Sequence, residues 1–422
     1  MRIVVLGGGS TGEHFVGALR RFDHDSELTL VERRLVGGEC SYWACMPTKT
    51  MLRATELVAA TKRAPGLRAA ELDVPATFAW RDVVAERDDT SQVEWLAARN
   101  CALVRGDAAV AEPGLVRTGD AVLPYDRLVI ATGSSAAVPP IPGLDEIDYW
   151  TNVEATEATV LPASLLVLGG GAVGCEFAQF FARAGSRVTL IELGERLLPQ
   201  VDAEAVALVD RTLREDGVDV RLSTTVDADE LRRHERVLVA TGRRPNLDGL
   251  GPLGLKFSGR GIEVDEHMRA AENVWAIGDV TGIAQFTHVG KYHARIAAAD
   301  IAGRPARADH RAVPATVFTD PQVATVGTLE GKTSTWRLTS TSRLSTYERP
   351  KRDGFIKVAA DPETRTVVGA VAVGPEAAEW LQQLTLAVRA RVPLDVLLDV
   401  IQPYPTFSEA VFLALRELNL DL

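Results

Sequence analysis

The chain has 422 residues, 46% hydrophobic and 24% charged, which is the composition of a folded protein of about two or three domains. Its formal net charge of -11 argues against nucleic acid or an anionic membrane as a partner, because both attract basic surfaces. The sequence contains neither an apolar run long enough for a membrane span nor a cleavable signal pattern, so we expect a cytoplasmic protein without membrane contact.

The chain begins with the pattern of a strand, a glycine turn and a helix. A short apolar run at 3–6 leads into Gly7, Gly9 and Gly12, and a helical pattern of apolar residues follows at 15–19. Glycines at these positions permit a tight turn and bring the backbone close to a pyrophosphate, whose charge then lies at the helix N-terminus. The alternative is a glycine-rich turn without a ligand.

An acid follows this turn at the spacing of a nucleotide-binding unit. The next apolar run, 28–31, ends at Glu32, twenty residues after Gly12. A carboxylate at the end of this strand is expected to bind the ribose hydroxyls of an adenosine. The strand, turn, helix and acid together predict a dinucleotide site at the start of the chain.

Two cysteines separated by four residues, Cys40 and Cys45, follow this unit. On one ideal helix they would lie about 7.5 Å apart along the axis and on different faces. A disulfide needs Cα atoms within about 7 Å. Either the thiols never bond, or the backbone between them is distorted. Pro47 favours a distortion, because it cannot donate a hydrogen bond to the carbonyl of Trp43.

The cysteine pair has two interpretations. Only four cysteines occur in the chain, too few for a secreted disulfide scaffold, so a paired motif favours redox chemistry. Lys49, one helical turn after Cys45, would stabilise a thiolate. The alternative is two buried structural cysteines in an alanine-rich helix. The bulky Tyr42 and Trp43 between the thiols favour a substrate pocket over packing beneath one.

The strand, turn and helix pattern recurs in the middle of the chain. A second apolar run leads into Gly169, Gly171 and Gly174, and the next strand ends at Glu192. Two nucleotide-binding units imply two nucleotide cofactors, and a redox pair near the first implies a flavin between nicotinamide and thiols. The carboxylate of Glu192 favours NADH, because it would repel the additional phosphate of NADPH, although Arg196 nearby would weaken that preference.

Further glycines and acids follow other predicted strands. A buried-strand pattern runs into a small turn at 128–133 and returns at 237–242. The apolar run at 274–277 is followed by Gly278 and Asp279, where a carboxylate suits the hydroxyls of a polyol chain. The alternative for Asp279 is the capping of a later helix, and it could serve both roles.

Together these motifs resemble the class I pyridine nucleotide-disulfide oxidoreductases, the family of dihydrolipoamide dehydrogenase, glutathione and mycothione reductases and mercuric reductase. The resemblance covers nearly the whole chain. It implies an α/β fold with two Rossmann-like dinucleotide-binding domains, for FAD and NAD, and an α+β C-terminal dimerisation domain. The implied boundaries are 1–145 with 263–308 for the FAD-binding domain, 146–262 for the NAD(P)H-binding domain and 309–422 for the interface domain of a homodimer.

The resemblance also implies roles for individual residues. Cys40 would be the interchange thiol that faces substrate, and Cys45 the thiol in charge-transfer contact with the flavin. Lys49 would approach flavin N5 and pair with Glu176. The residues implied to contact FAD are Gly7, Gly9, Gly12, Glu32, Gly38, Lys49, Ala108, Thr132, Gly133, Gly278, Asp279 and Thr287. Those implied to line the NAD(P)H site are Gly169, Gly171, Gly174, Glu192 and Gly242.

The sequence departs from the family pattern near its C-terminus. Members that reduce dithiols carry a histidine, then Pro-Thr, then a glutamate that orients the histidine, whereas here Tyr404 stands at the histidine position and Glu409 follows. Imidazole, with a pKa of about 6.5, can accept a thiol proton at neutral pH, while a phenol, with a pKa of about 10, is mostly protonated. Dihydrolipoamide or glutathione chemistry at full rate is therefore not expected. Tyr404 remains a candidate hydrogen-bond donor or acid.

Other departures affect the redox loop and the chain ends. Glu39 replaces a common threonine, and Ala44 replaces the glycine usual before the second cysteine. The chain lacks the terminal cysteine pair of mercuric reductase, and no metal-binding module precedes the first strand. Mercury reduction is therefore not expected, although mercuric reductase also has a tyrosine near the position of Tyr404. No resident metal is predicted.

Three functions follow from these patterns. The leading hypothesis is an enzyme that passes electrons from NADH through FAD to a Cys40–Cys45 disulfide, and on to an unidentified small-molecule or protein acceptor. The second is direct transfer from the flavin to a quinone, metal ion or small oxidant, with a non-essential disulfide, and it depends on Tyr404. The third is a low-turnover, redox-responsive flavoprotein, against which the presence of Lys49, Glu176 and both thiols argues.

Overall fold

The computed structural model describes residues 1–419. Leu420, Asp421 and Leu422 lie outside the described residues, and they include the end of the predicted interface domain. The chain forms two compact units. Unit 1 comprises 1–48, 80–137 and 242–309, and unit 2 comprises 49–79, 138–241 and the described residues from 310 onward.

The strands are numbered in chain order. They are β1 (Arg2–Leu6), β2 (Glu27–Glu32), β3 (Cys101–Arg105), β4 (Ala108–Glu112), β5 (Leu115–Thr118), β6 (Ala121–Pro124), β7 (Arg127–Ile130), β8 (Ser134–Ala136), β9 (Ser164–Leu168), β10 (Arg187–Ile191), β11 (Asp219–Arg221), β12 (Arg236–Val239), β13 (Arg243–Pro245), β14 (Phe257–Ser258), β15 (Gly261–Ile262), β16 (Arg269–Ala271), β17 (Val274–Ala276), β18 (Ala315–Val317), β19 (Gln322–Gly327), β20 (Lys332–Arg337), β21 (Phe355–Asp361) and β22 (Thr366–Gly374).

The α-helices are α1 (Ser10–Leu19), α2 (Gly38–Tyr42), α3 (Cys45–Thr61), α4 (Val74–Ala85), α5 (Thr90–Ala97), α6 (Asn152–Glu157), α7 (Ala172–Ala184), α8 (Ala203–Glu215), α9 (Ala228–Arg232), α10 (Thr287–Ile301), α11 (Leu344–Tyr347), α12 (Ala377–Trp380), α13 (Gln382–Ala390), α14 (Leu394–Asp399) and α15 (Ser408–Arg416). Short 3₁₀ turns occur at Gly251–Leu253, Gly278–Thr281 and Leu338–Ser340. Within residues 1–419, no helix combines the length and the apolar character needed to cross a membrane.

Unit 1 is built on a six-stranded sheet in the order β16-β17-β7-β1-β2-β3, parallel except for the antiparallel strand β16. Apolar side chains of α1, including Phe15, Val16 and Leu19, are buried in its core, and α10 packs against α1. Strand β1 lies between β2 and β7. The next strand in the chain, β2, therefore pairs with one edge of β1, and the later strand β7 pairs with the other edge. The carboxyl end of such a strand is where dinucleotides bind in doubly wound sheets.

Smaller sheets complete unit 1. Strands β4, β5 and β6 form an antiparallel three-stranded sheet, and β8 pairs with β13 in an antiparallel ribbon. This ribbon places side by side the residues that follow the two similar strand-and-turn segments, 128–133 and 237–242. Residues 242–262 therefore belong to unit 1 by their contacts. The division into three domains with the boundaries given above remains a prediction.

The central part of unit 2 repeats the nucleotide-binding pattern. Its parallel sheet has the order β11-β10-β9-β12, and strand β9 is buried along its whole length. Helix α7 follows the glycine turn after β9, and its apolar face, with Phe177, Phe180 and Phe181, is buried in the core. Both faces of the sheet are covered, as is typical of parallel sheets whose strands are continuous apolar runs.

The C-terminal part of unit 2 is α+β. Its antiparallel sheet has the order β18-β19-β22-β21-β20. Helix α13 packs on β22 and β19, while α15 packs on β20 and β21. The alternating apolar pattern of β21 and β22 that the sequence shows places one set of side chains against these helices, where they form a separate hydrophobic core.

An ion network in unit 2 surrounds Asp320, which is almost completely buried. Its carboxylate accepts hydrogen bonds from Arg352 at 2.6 Å, Arg183 at 3.0 Å and Arg63 at 3.3 Å. Burial raises the pKa of Asp320, but the three guanidinium groups outweigh burial and hold its pKa below the ordinary value. One carboxylate thus joins three segments that are distant in sequence.

Replacing Asp320 with asparagine is expected to lower the free energy of unfolding by about 3 kcal/mol at neutral pH, because three arginines lose a shared partner. Since the folded-state pKa of Asp320 is lowered, its stabilisation is present above the ordinary pKa of about 4 and is lost as the pH falls through the folded value. The difference between wild type and variant should therefore shrink below about pH 4, as measured by chemical denaturation.

Asp353→Asn is the matched control for this measurement. Asp353 pairs with Arg211 at 2.7 Å, but both side chains are about half exposed, at 54% and 51%. Its replacement should cost less than about 1 kcal/mol, because exposed ion pairs contribute little. A cost for Asp320→Asn that equals the control, or that does not change with pH, would contradict the role of the network.

Candidate active site

The two cysteines lie on consecutive helices rather than on one. Cys40 is in the middle of α2, and α3 begins at Cys45. The backbone leaves helical geometry at Trp43, where φ is -138° and ψ is 6°. The expected distortion is therefore present, but it precedes Pro47, which lies in the first turn of α3, where a missing N–H costs least. This break allows the two thiols to approach each other.

The two thiols are hydrogen-bonded to each other. None of the four cysteines, all of which lie within the described residues, takes part in a disulfide. The hydrogen bond to Cys45, together with burial, raises the pKa of the Cys40 thiol, while a hydrogen bond to Thr287 and the charge of Lys291 oppose this effect. The hydroxyl of Thr287 also lies 3.5 Å from the sulfur of Cys45. The hydrogen bond to Cys45 and burial thus favour the protonated form of Cys40.

Tyr42 and Trp43 do not line a pocket, which corrects the expectation from their position between the thiols. Their relative exposures are 2% and 5%. The hydroxyl of Tyr42 donates to the carbonyl of Val36 at 2.8 Å, and the guanidinium of Arg34 stacks over the ring of Trp43. The two rings also contact each other edge to face, with their centroids 5.5 Å apart, so both are packed rather than open to a substrate.

The first glycine turn has the geometry that a pyrophosphate requires. Gly7 has φ of 101°, and a Cβ there would collide with the carbonyl of Ala131, while a Cβ at Gly12 would collide with the carbonyl of Gly7. At Gly9, by contrast, the nearest atom to an added Cβ is the Cα of Gly38 at 3.9 Å. Gly9 also caps α1 without a side-chain hydrogen bond. The open space beside the helix N-terminus fits the phosphates of a dinucleotide.

The acid after β2 is held by the same turn. One carboxylate oxygen of Glu32 accepts the N–H of Gly8 at 2.7 Å, and the other accepts the N–H of Arg34 at 2.7 Å. Each carboxylate oxygen can accept more than one hydrogen bond, so this arrangement orients Glu32 while leaving acceptor capacity for ribose hydroxyls. The residues at this turn therefore fit the adenosine part of FAD.

Two further strand ends in unit 1 carry predicted flavin residues. Thr132 and Asn246 exchange hydrogen bonds at 2.7 and 2.9 Å, and Gly133, with φ of 71°, has open space beside it. Gly278, with φ of 75°, begins a 3₁₀ turn that contains Asp279. Asp279 therefore does not cap α10. Burial raises its pKa despite the hydrogen bond that it accepts from Ser134. The last predicted flavin residue, Ala108, begins β4.

The second glycine turn repeats the geometry of the first in unit 2. Gly169 has φ of 106°, a Cβ at Gly174 would collide with the carbonyl of Gly169, and no atom of the described chain lies within 4 Å of a Cβ added to Gly171. Glu192 accepts the N–H of Gly170 at 2.6 Å and that of Gly194 at 2.7 Å. Both turns therefore have the same arrangement of glycines and of an acid that accepts backbone N–H groups, and this arrangement fits a second dinucleotide.

Arg196 and Gly242 are the remaining residues that the sequence analysis considered for the NAD(P)H site. The guanidinium of Arg196 donates to the carbonyl of Pro199 at 2.6 Å. Gly242, with φ of 125°, accepts the N–H of Ala137 at 2.9 Å, and it lies in unit 1 by its contacts.

Lys49 and Glu176 form an ion pair in unit 2. Lys49, one turn after Cys45 in α3, donates to Glu176 at 2.7 Å, and the other carboxylate oxygen accepts the N–H of Phe318 at 2.9 Å. Glu176 is 5% exposed and Lys49 is 36% exposed. A carboxylate this deeply buried on the apolar face of α7 is stable because it is paired and hydrogen-bonded.

The C-terminal candidates lie in different environments. Tyr404 is 70% exposed, and its hydroxyl donates to the hydroxyl of Ser342 at 2.9 Å. Glu409 lies in the first turn of α15, and one of its carboxylate oxygens is buried without a hydrogen-bond partner in the described chain. In the family pattern this glutamate orients a histidine, so the unpartnered oxygen is consistent with the loss of that partner.

Sequence reasoning missed three residues that hold the predicted flavin residues in place. Arg243 donates to Ser134 and Glu39, Ser134 donates to Asp279, and the N–H of Gly278 donates to the buried ring of His293 at 3.2 Å. The repeated strand and turn before Ser134 and Arg243 was the available signal. Nothing in the pattern of α10 distinguishes His293 from a core residue.

No group of three or more His, Cys, Asp or Glu side chains that could hold a metal ion occurs within residues 1–419.

Comparison with known proteins agrees with this architecture. Residues 1–302 match the family model for pyridine nucleotide-disulphide oxidoreductases, and residues 313–415 match the dimerisation domain of that family. Mercuric reductase of Acidithiobacillus ferrooxidans is 33% identical over 100% of this chain and 83% of its own length. Dihydrolipoyl dehydrogenase of Haloferax volcanii is 31% identical over 97% and 94%.

A solved structure extends the comparison to the fold. The Cu(II) complex of the HOCl-induced flavoprotein disulfide reductase RclA from Escherichia coli superposes with a TM-score of 0.86, at 25% identity, over 99% of both chains. The chain belongs to the pyridine nucleotide-disulphide oxidoreductase family and is an FAD-dependent oxidoreductase that uses a pyridine nucleotide. The predicted family, fold class and type of enzyme are confirmed, while the roles of individual residues remain predictions.

Proposed function

We propose that this enzyme transfers two electrons from NADH, by way of FAD, to a Cys40–Cys45 disulfide. From there the electrons pass to an acceptor, which is a disulfide or another small oxidant. The observation that carries the proposal is the break between α2 and α3, which brings the two thiols into hydrogen-bonding contact. Two electrons and two protons break the disulfide and give two thiols. A disulfide acceptor is then reduced in two exchanges: the Cys40 sulfur attacks one acceptor sulfur, forming a mixed disulfide and releasing the first acceptor thiol, and the Cys45 sulfur then attacks Cys40, releasing the second acceptor thiol and re-forming the Cys40–Cys45 disulfide.

The residues of both glycine turns would hold the cofactors. The turn at Gly7 to Gly12, with Glu32, would bind the pyrophosphate and ribose of FAD, and Asp279 would bind its polyol chain. When bound, FAD accepts a hydride from a nicotinamide and passes two electrons to a disulfide. Thr287, beside both sulfurs, would donate a hydrogen bond to a thiolate at Cys45, and Lys49 would add a positive charge from α3.

Anaerobic titration of the purified protein with NADH tests this proposal. Bound flavin should be present as isolated, and a long-wavelength thiolate-flavin absorption should develop after two-electron reduction. Labelling with a thiol reagent should then modify Cys40 after reduction and leave it unmodified in the oxidised enzyme. A protein that lacks flavin, or that gains neither the absorption nor new thiols, would refute the proposed path.

NADH is the proposed electron donor because Glu192 is fixed where the adenosine ribose is expected. Glu192→Ser should lower kcat/KM for NADH about tenfold and raise kcat/KM for NADPH, since the N–H groups of Gly170 and Gly194 become donors for the additional phosphate. Steady-state kinetics with both nucleotides measures the change. Glu195→Ser, on the same loop and exposed, is the control and should leave the preference unchanged. An unaltered NADH preference in Glu192→Ser would show that another residue sets it.

A second candidate is reduction of a metal ion or small oxidant without thiol-disulfide exchange. It is favoured by Tyr404, because a phenol cannot replace a histidine base. Burial and the hydrogen bond to Cys45, which raise the pKa of the Cys40 thiol, point in the same direction. Two of the similar proteins are a mercuric reductase and a Cu(II) complex of a disulfide reductase. An acceptor panel of disulfides, quinones, Hg(II) and Cu(II) separates the two candidates.

Tyr404→His tests whether the lack of a histidine base at this position limits the reduction of disulfides. A histidine at this position would restore the residue pattern of the family, so disulfide reductase activity should rise about a hundredfold at neutral pH, within the usual range for general base catalysis. Tyr404→Phe is the control, because it removes the hydroxyl without adding a base. If neither variant changes activity with any disulfide, position 404 does not contribute a base to this reaction.

The dimerisation-domain match supports a homodimer, which we include in the proposal. Light scattering of the purified protein should give twice the chain mass of 45.5 kDa. The cytoplasmic location expected from the sequence also remains a prediction, to be tested by cell fractionation.

A further inference from the structure

Helix α2, which carries Cys40, is too short to fix its own orientation. It has five residues, is entered through Gly37 and Gly38 with φ of 110° and 66°, and ends at Trp43. The N–H of Trp43 donates to the carbonyl of Glu39 at 2.8 Å, which closes a single helical turn. Helices of this length are not stable alone, so side-chain contacts must hold α2 in place.

Glu39 supplies such a contact immediately before Cys40. Its carboxylate accepts a hydrogen bond from Arg243 at 2.7 Å, and the two side chains are 28% and 23% exposed. A charge-assisted hydrogen bond with this degree of shielding is stronger than an ion pair in open solvent. Glu39 is also the residue that departs from the common threonine at this position.

Arg243 connects α2 to the ribbon of β8 and β13. Its guanidinium donates to the hydroxyl of Ser134 at 2.8 Å and to the carbonyl of Ser134 at 2.7 Å. Because the hydroxyl oxygen of Ser134 accepts from Arg243, its hydrogen is directed to Asp279, at 2.6 Å. Four side chains thus form one hydrogen-bonded chain, from the helix of the interchange cysteine to the acid expected at the flavin.

The members of this chain of contacts differ in charge. Glu39 is an acidic residue, Arg243 is a cation, Ser134 is a neutral donor and acceptor, and Asp279 is an acid whose pKa is raised by burial. Removing one member changes the partners of the next, which is why such networks respond as units rather than as separate pairs.

We propose that Glu39 is a positioning residue which, through Arg243 and Ser134, couples the orientation of Cys40 to the binding of flavin at Asp279. The proposal rests on the proposed function, since it takes Asp279 as a flavin contact and Cys40 as a redox thiol. Coupling of this kind is reciprocal: bound flavin fixes α2, and the position of α2 changes the affinity for flavin. Glu39 itself touches neither the flavin nor the acceptor in this account.

The test compares holoenzymes that carry Glu39→Gln, Ser134→Ala or both changes. Glu39→Gln keeps the size of the side chain and removes its charge, and Ser134→Ala breaks the link to Asp279. The first measurement is the rate of FAD release, followed by flavin fluorescence in the oxidised and the two-electron-reduced enzyme. The second is the long-wavelength thiolate-flavin absorption, which reports the placement of the sulfurs and which a merely structural role would not change.

Release of FAD should be about tenfold faster in Glu39→Gln than in wild type, and the thiolate-flavin absorption should fall by at least about half. The double variant should resemble either single variant, because both changes interrupt one chain of contacts. Asp126→Asn is the control: Asp126 pairs with Arg2 at 2.8 Å on the surface of the same unit, and its replacement should change release by less than about twofold.

The outcomes separate this inference from the proposed function. If wild type binds FAD and develops the absorption, but Glu39→Gln behaves like Asp126→Asn, the coupling is refuted and the proposed function stands. Additive effects of the two changes would also refute the coupling. If Glu39→Gln does not fold, Ser134→Ala alone decides, by the same two measurements. If wild type lacks FAD or the absorption, both proposals are refuted.

Discussion

Replacing Cys40 with serine is expected to lower turnover with a disulfide acceptor by about a thousandfold or more, because the attacking sulfur and its disulfide are both removed. FAD content and the rate of flavin reduction by NADH should change little, since Cys40 is not among the residues expected to hold either nucleotide. Single-turnover measurements of flavin reduction, followed by steady-state assays with disulfide and non-disulfide acceptors, distinguish the two steps.

Cys101→Ala is the matched control for Cys40→Ser. Cys101 begins β3, is buried in the core of unit 1, and burial raises its pKa to about 12, so its thiol is inert. The control should retain full turnover. If Cys40→Ser retains turnover with the physiological acceptor, electrons leave from the flavin and the metal-ion or small-oxidant candidate becomes the better account.

Replacing Lys49 with methionine is expected to lower the free energy of unfolding by about 3 kcal/mol, because the carboxylate of Glu176 is almost fully buried and loses its cation. The remaining hydrogen bond from the N–H of Phe318 compensates only in part. Flavin reduction by NADH should also slow, because the family resemblance implies that Lys49 approaches flavin N5. Chemical denaturation and stopped-flow absorbance measure the two effects.

Two variants define the limits of this prediction. In Lys49→Met combined with Glu176→Gln, no buried charge remains, so stability should recover by at least about 1 kcal/mol while flavin reduction stays slow. Arg53→Met tests an exposed pair on the same helix: Arg53, 52% exposed, contacts Glu56 at 2.9 Å. It should cost less than about 1 kcal/mol. A similar cost for Arg53→Met and Lys49→Met would mean that burial of Glu176 does not set the effect.

The nucleotide-binding turns could be recognised from the sequence because their requirements are local. Gly12 is needed where a Cβ would collide with the carbonyl of Gly7 in the same turn, and Glu32, at the end of the strand beside β1, accepts the N–H of Gly8. The same local requirements recur from Gly169 to Glu192. Short-range steric rules of this kind leave a fixed spacing of residue types, which a single sequence displays.

The environment of the redox pair was less accessible to sequence reasoning. Pro47 pointed to a distortion, but the break lies at Trp43, and α2 approaches the first glycine turn so closely that a Cβ on Gly38 would lie 2.7 Å from the Cα of Gly9. The position of Tyr42 and Trp43 suggested a pocket, whereas both rings are buried. Aromatic residues beside a reactive group pack or bind ligands equally well, and only the neighbouring elements distinguish these outcomes.

The sequence by itself predicted two dinucleotide-binding units and a candidate redox pair of cysteines, and it displayed an altered C-terminal motif, because glycine spacing, strand-end acids and residue identities are local properties. The tertiary structure decided that Thr287 lies against Cys45 and that Glu39, Arg243, Ser134 and Asp279 form one hydrogen-bonded chain. These contacts join residues more than a hundred positions apart. They depend on the order of strands in the sheet and on the pairing of β8 with β13, and no local pattern encodes that order.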